Sequence, residues 1–384
     1  MGVSTTTMDA GPTRFTVPWL RDRNWDLLYI SLSVVLVPLP YLLYLAIRDW
    51  AALAPLATSF ETNIDDVSRQ IVNAVVAILV GGPHMFVTFI RTSFDRTFVN
   101  RFRGLVWGSI AIPAIVIALA FFNIAALVAI FFFWASIHVL HQIVYIVECY
   151  NVKRKSSLTS LSRAIDYAVV LTSLYPIAAY RMWAGTFTIG PFDVGGEVGR
   201  FLAGTIPGIT GFPAVLWYLA AGAFGLSLVA FTAKSIVEIR GGYAHVPKIV
   251  FIYVTATASF IVPSLPNLDT AFQGMNVWHS FQYLALTIYI NNLRYEVGEE
   301  KRFRVFNNLS KTGKERRFYG TLVGITIADG AIAFLIYLAL KSTGMPGGSA
   351  FETAYYIAVL SFLWMHYYHD HILFTEPQAV AIGA

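Results

Sequence analysis

The stretch Trp364-Met-His-Tyr-Tyr-His-Asp-His-Ile-Leu-Phe374 carries three of the chain's eight histidines, His366, His369 and His371, beside Asp370. It closes an apolar run long enough to cross a membrane, where an ionisable side chain is costly and points to function. Four more histidines fall in other apolar runs: His84, His138, His141 and His279. His138 and His141 share the i,i+3 spacing of His366 and His369, which sets both side chains of a pair on one helix face. Neutral imidazole suits zinc, copper and iron. Four or more imidazoles without matching carboxylates leave the charge of iron largely uncompensated, and such a centre can take up dioxygen. The expected metal ligands are therefore His84, His138, His141, His279, His366, His369 and His371. They would surround one or two non-haem iron ions, with dioxygen as co-substrate. His371 joins them only if its helix ends there, which Pro377 permits.

Two other residues are candidate catalytic groups. Asp370 stands at i+4 from His366, and Tyr283 lies one turn beyond His279. Asp370 and Glu148 can also orient ligand histidines by accepting the second ring N–H. Gln142 and Tyr145 are the i+4 neighbours of His138 and His141. Ahead of His84 stands Gly81-Gly82-Pro83. The proline removes a backbone donor and kinks the helix, and the glycines admit a close neighbour. Arg91, at i+7 from His84, either pairs with Asp95 or extends its charge to the membrane surface, and the second is preferred. His245, beside Pro247 and Lys248, reads as a surface residue in a basic loop.

The elements that must position these groups follow from composition. Of 384 residues, 57% are hydrophobic and 13% charged, against about 25% charged in soluble domains. Apolar runs recur along the whole length, so the fold class is all-α, a polytopic membrane bundle. Ten spans are expected, at roughly 26–47, 70–90, 105–121, 123–147, 164–181, 213–233, 249–264, 275–292, 319–341 and 353–373. Residues 1–24 form a polar tail, 25–375 one transmembrane domain and 376–384 a second tail. Basic residues collect in alternate loops; only Arg48, Arg69, Arg181, Arg200 and Lys341 fall on the other side. Both termini are then cytoplasmic by the positive-inside rule, in a membrane of the bacterial inner-membrane kind. On this topology the histidine-bearing spans, the second, fourth, eighth and tenth, all run inward. The centre should lie in the cytoplasmic half.

Other features are minor. The glycine-rich segment 182–212 is a re-entrant lid or a flexible loop, the loop being preferred. A single cysteine, Cys149, excludes an intrachain disulfide. Residues 1–24 lack an apolar h-region, so no cleaved signal peptide is expected, and the first span would serve as the signal. Met1-Gly2-Val-Ser-Thr-Thr6 fits a loose myristoylation pattern, and Asn308-Leu-Ser310 a sequon that would face the cytoplasm. The formal charge of +5 resides in short loops, so nucleic acid is not an expected partner.

Histidine pairs spread over several spans resemble two families of membrane non-haem iron enzymes. Membrane fatty-acid desaturases and hydroxylases are similar in carrying about eight histidines around two irons. Their HxxHH boxes are replaced here by His138-x-x-His141 and His366-x-x-His369-x-His371. The Brp/Blh-type carotenoid dioxygenases resemble this chain at Gly82-Pro83-His84, although their acidic residue four positions after that histidine is Thr88 here. Both resemblances imply oxygen-dependent oxidation of a lipid-soluble substrate, fatty acyl or isoprenoid. Expected partners are that substrate, membrane lipids and a redox protein. Two alternatives compete: a metal or proton transporter with a histidine relay, and a bis-histidine haem electron carrier. The first calls for ligands along a whole span and for internal repeats, neither of which the sequence shows. The second leaves too many histidines unexplained.

Overall fold

A computed structural model describes residues 19–154, 158–205 and 212–381. The myristoylation pattern, Lys155, Gly208 and Gly211 lie outside these residues. The chain is all-α. Its main helices are α1 (Arg23–Ile47), α2 (Ile64–Arg91), α3 (Arg103–Phe122) and α4 (Ile124–Arg154). There follow α5 (Ser160–Thr172), α6 (Tyr175–Trp183), α7 (Val194–Thr205) and α8 (Phe212–Arg240). The last four are α9 (Val246–Ser264), α10 (Leu268–Glu296), α11 (Glu315–Ser342) and α12 (Gly347–Leu373). Helices are the expected answer to an apolar chain in lipid, because each satisfies its own backbone hydrogen bonds.

Among the described residues, seven helices are long and apolar enough to cross a membrane: α1, α2, α3, α4, α8, α9 and α11. The other three expected spans fall outside this set for physical reasons. The 164–181 run is broken into α5 and α6, with Pro176 in the first turn of α6. α10 and α12 have the length, at 29 and 27 residues, but carry the polar side chains that build the site. The 182–212 segment is not simply a loop. It contains α7, and its Phe187, Ile189 and Val194 are buried in a cluster with Phe132 of α4.

α2 and α10 lie side by side and run in the same direction. Arg69 Nη1 donates to Asp269 at 2.9 Å, and Gln273 Nε2 donates to Asn73 Oδ1 at 3.0 Å. Further along, His84 meets His279 and Thr88 meets Tyr283. Between the second and third of these pairs α2 spends eleven residues where α10 spends six. The slack has a local cause. Residues Ala77–Gly81 form a π-helical turn, followed at once by Pro83. Such turns relax a helix that cannot keep its i→i−4 pattern, and they collect at functional sites. Proline leaves the Leu79 carbonyl without its usual donor, and the Tyr319 hydroxyl of α11 donates to that oxygen instead.

Gly82 is the point where α11 comes closest. A Cβ built there would fall 2.2 Å from Thr326 Cγ2. Gly82→Ala is therefore expected to destabilise the fold by roughly 1–3 kcal/mol through overpacking. Thermal midpoints in detergent check this, and Thr326→Ala in the same chain should recover part of the loss. Fully additive losses would mean that the two helices do not meet there. A similar approach fixes α1 against α10, where a Cβ on Gly274 would lie 2.1 Å from the Val37 carbonyl oxygen. Trp278 Nε1 donates to Ser33 Oγ at 2.9 Å, and Gln282 Nε2 donates to the Ile30 carbonyl at 2.7 Å, along the same seam.

Charged residues near the helix ends differ from the sequence reading. Arg91 neither pairs with Asp95 nor reaches the surface; it is buried, and its charge acts on Tyr145, Tyr283 and Asp370. Asp95 instead meets Lys301 Nζ at 3.0 Å and Arg294 Nη2 at 3.1 Å. His245 is not a surface residue. Its ring is buried against Tyr150, and its Nδ1 accepts from Lys248 N at 3.2 Å, capping α9. Lys234 and Lys248 likewise leave the basic loop and converge on buried Asp166 from α8 and α9.

Candidate metal centre

Four histidines, one from each of four helices, meet in the interior: His84 of α2, His138 of α4, His279 of α10 and His366 of α12. One ring nitrogen from each lies within 4.8 Å of the other three, and all four side chains are buried. His84 Nε2 and His279 Nε2 face each other at 3.1 Å. The ring centroids of His84 and His366 are 4.4 Å apart, those of His138 and His366 4.8 Å.

The donor set fits a cation. His138 Nε2 and His366 Nε2 have no hydrogen-bond partner on the protein although both are buried. Groups so placed are rarely left unmatched. Two imidazole nitrogens at 3.1 Å imply a shared proton or a cation between the rings. An imidazole–metal bond of ~2.1 Å puts two ligands of one ion at most ~4.2 Å apart. The widest pair here, at 4.8 Å, therefore needs to contract by about half an ångström.

One ligand is oriented by a short hydrogen-bonded chain. Thr88 Oγ1 lies 2.7 Å from His366 Nδ1 and donates to Asp370 Oδ1 at 2.9 Å. Tyr283 OH donates to the same carboxylate oxygen at 2.6 Å. Thr88 has one proton, and the carboxylate takes it, so Thr88 accepts from His366 Nδ1–H. That assignment of the tautomer leaves the Nε2 lone pair free for a metal. Gln142 Nε2 donates to the His279 carbonyl at 3.0 Å and ties α4 to α10 beside the cluster. The Tyr367 ring stacks on His138 at 4.2 Å.

The remaining candidate residues lie elsewhere. His369 is buried but uses both nitrogens in hydrogen bonds, Nδ1 with Thr92 Oγ1 at 2.9 Å and Nε2 with Ser109 Oγ at 3.1 Å. His141 is half-buried, 5.6 Å in ring centroids from His371, which is exposed. The helix does not end at His371 but continues to Leu373, so that ring points away from the four. Glu148 does not orient a histidine; it binds Tyr167, Asn151 and Arg163. Asp370 and Tyr283 sit directly beneath the cluster, with Asp370 Oδ2 3.6 Å from His366 Nδ1 and 3.9 Å from His138 Nε2.

Three buried polar positions around the histidines and the cavity escaped the sequence reading. Thr88 carried a signal, its i+4 spacing from His84, but registered there only as a departure from an acidic residue. Thr92 repeats that spacing from Thr88. Asp329 lies inside the apolar run of α11, and the rule that singled out the histidines applies equally to it.

A cavity beside the centre opens to the outside and encloses about 1080 Å³ of atom-free space when its open mouth is included. His84 and His279 line it, together with apolar residues that include Met85, Phe131, Val139 and Leu363. Asn73, Ala77 and Gly81 of α2 and Gln273 and Asn276 of α10 also line it, with Gln273 hydrogen-bonded to Asn73.

No known family model matches this chain, and no curated protein and no solved structure is detectably similar to it.

Proposed function

We propose that this protein is a membrane-embedded non-haem iron oxidoreductase that uses dioxygen on a lipid-soluble substrate of the fatty-acyl or isoprenoid kind. The observation that carries this reading is the juxtaposition of four histidines, with the single carboxylate of Asp370 beside them, and a mostly apolar cavity. Iron held by His84, His138, His279 and His366 would supply the binding and activation of dioxygen. The chain's own residues do the rest. The apolar wall selects a lipophilic substrate and excludes water, and Thr88, Asp370 and Tyr283 hold His366 in place. Asp370 is held next to Thr88, so a carboxylate from α12 serves the place where the Brp/Blh-type pattern carries its own acid. That substitution between helices supports the carotenoid-type resemblance over the desaturase type.

The same reading puts ten spans in the membrane, with both termini cytoplasmic, from the distribution of Lys and Arg. It also favours one ion over two, since four ring nitrogens within 4.8 Å surround a single point. A haem between two of these histidines is disfavoured, because rings this close leave no space for a macrocycle.

Elemental analysis and an optical spectrum of detergent-purified protein test the proposal. We expect about one iron per chain, no Soret band, and oxygen uptake on adding a long-chain isoprenoid alkene. A Soret band would assign the protein to electron transfer, and a metal-free protein with an intact fold would defeat the reading.

A further inference from the structure

The cavity has a second feature that the histidines do not explain. Asp329 lies near the middle of α11 and is 6% exposed. It lines the cavity, and its Oδ1 has no hydrogen-bond partner on the protein. A carboxylate at mid-span is among the costliest groups to bury, and an unmatched oxygen adds to that cost. Away from the histidines, several other polar groups of the lining are matched. Asn276 Nδ2 donates to Gln273 Oε1 at 2.9 Å, Gln273 donates on to Asn73, and Asp269 is paired with Arg69. Asp329 is one turn along α11 from Thr326, which touches Gly82, two residues before His84. Its distance from the histidines is thus on the order of 10 Å along the cavity.

We propose that Asp329 anchors a hydroxyl group on an otherwise apolar substrate, and so sets which carbon of that substrate faces the histidine centre. The inference rests on the oxidoreductase reading and narrows it to mono-alcohols of the lipid phase. An acceptor oxygen calls for a donor. A hydroxyl brings one at modest desolvation cost, whereas an ammonium carried to mid-span would bring the full cost of a second charge. The apolar side chains of the lining then hold the hydrocarbon.

The test is equilibrium binding to the detergent-purified full chain, using tritiated geranylgeraniol, the corresponding C20 hydrocarbon and geranylgeranylamine as probes. The alcohol should bind roughly tenfold or more tightly than the hydrocarbon, as expected for a buried hydrogen bond to a charged acceptor. Asp329→Leu should bring that ratio to within about twofold while hydrocarbon binding persists, and Asp329→Asn, which keeps an acceptor oxygen, should restore part of it. An unchanged ratio in Asp329→Leu, equal binding of alcohol and hydrocarbon in the wild type, a preference for the amine, or no saturable binding of any probe each overturns the proposal. Equal binding in the wild type overturns the proposal even if neither variant folds. Iron measured on the same preparations separates the two readings. An alcohol preference in iron-free protein defeats the oxidoreductase assignment and leaves the anchor, whereas iron without a preference does the reverse.

Discussion

His84→Ala is expected to abolish iron binding, and His138→Ala, His279→Ala and His366→Ala to do the same. Each removes one of four nitrogens that lie within 4.8 Å of one another. The three that remain would hold the ion with an open side towards a buried, largely apolar surrounding, and affinity should fall by at least the roughly 10–100-fold that follows loss of even an outer hydrogen-bond partner. The comparison set is His141→Ala, His369→Ala and His371→Ala, which should keep their iron. His369→Ala will lose some stability, about 1–3 kcal/mol, because Thr92 and Ser109 each lose a buried partner. His245→Ala should act in the same way through the lost cap on α9, by about 1 kcal/mol. Iron per folded chain, measured after gel filtration, separates the two groups. Full iron in both His84→Ala and His279→Ala would end the metal-centre assignment.

The division among the histidines shows what a single sequence reveals and where it stops. The four helices that bear them were legible from apolar runs and from ionisable residues within those runs. Their common direction followed from the charge of the loops, and the structure runs α2 and α10 side by side in one direction. The i,i+3 pairs then suggested that both members of each pair bind. Histidines one turn apart on a helix can share one ion, but here only one member of each pair reaches the cluster. His141 and His369 fall a turn further along and find other neighbours. Which member of a pair faces inward depends on helix rotation and stagger, and these are set by packing partners far away in sequence. Thr326 against Gly82 and Val37 against Gly274 are two such partners. The lone histidines, His84 and His279, lack the paired spacing, yet they form the closest contact of the cluster.

The cavity was less legible still, for a related reason. Gly81-Gly82-Pro83 announced a kink, but a kink alone does not say which neighbour is left behind. Only the partner shows it, through six residues of α10 set against eleven of α2. Glycine, proline and histidine thus sit together in sequence where α11 packs closest, and Gly82, Thr326 and His84 line the same cavity.

Asp370→Ala is expected to weaken iron binding by roughly 10–100-fold while leaving every histidine in place. Its carboxylate accepts from Tyr283 and Thr88, and Thr88 accepts from His366. Without it, two buried hydroxyls lose their acceptor, at about 1–3 kcal/mol each if no other partner is found. Thr88 is then free to turn its proton towards His366 Nδ1, which favours the tautomer with the proton on Nε2 and removes the lone pair a metal needs. Thr88→Val should weaken binding to a similar degree, since it cuts the same chain one bond earlier. The two substitutions together should weaken binding little more than either alone, because residues of one hydrogen-bonded chain do not act additively. Tyr283→Phe should have a smaller effect, as it removes a donor to Asp370 and leaves the Thr88 bridge intact. Competition with a chelator of known affinity measures all four variants on one scale. Wild-type affinity in Asp370→Ala, or strict additivity with Thr88→Val, would show that His366 is oriented by packing alone, through Tyr367 and His84, and that the carboxylate serves another purpose.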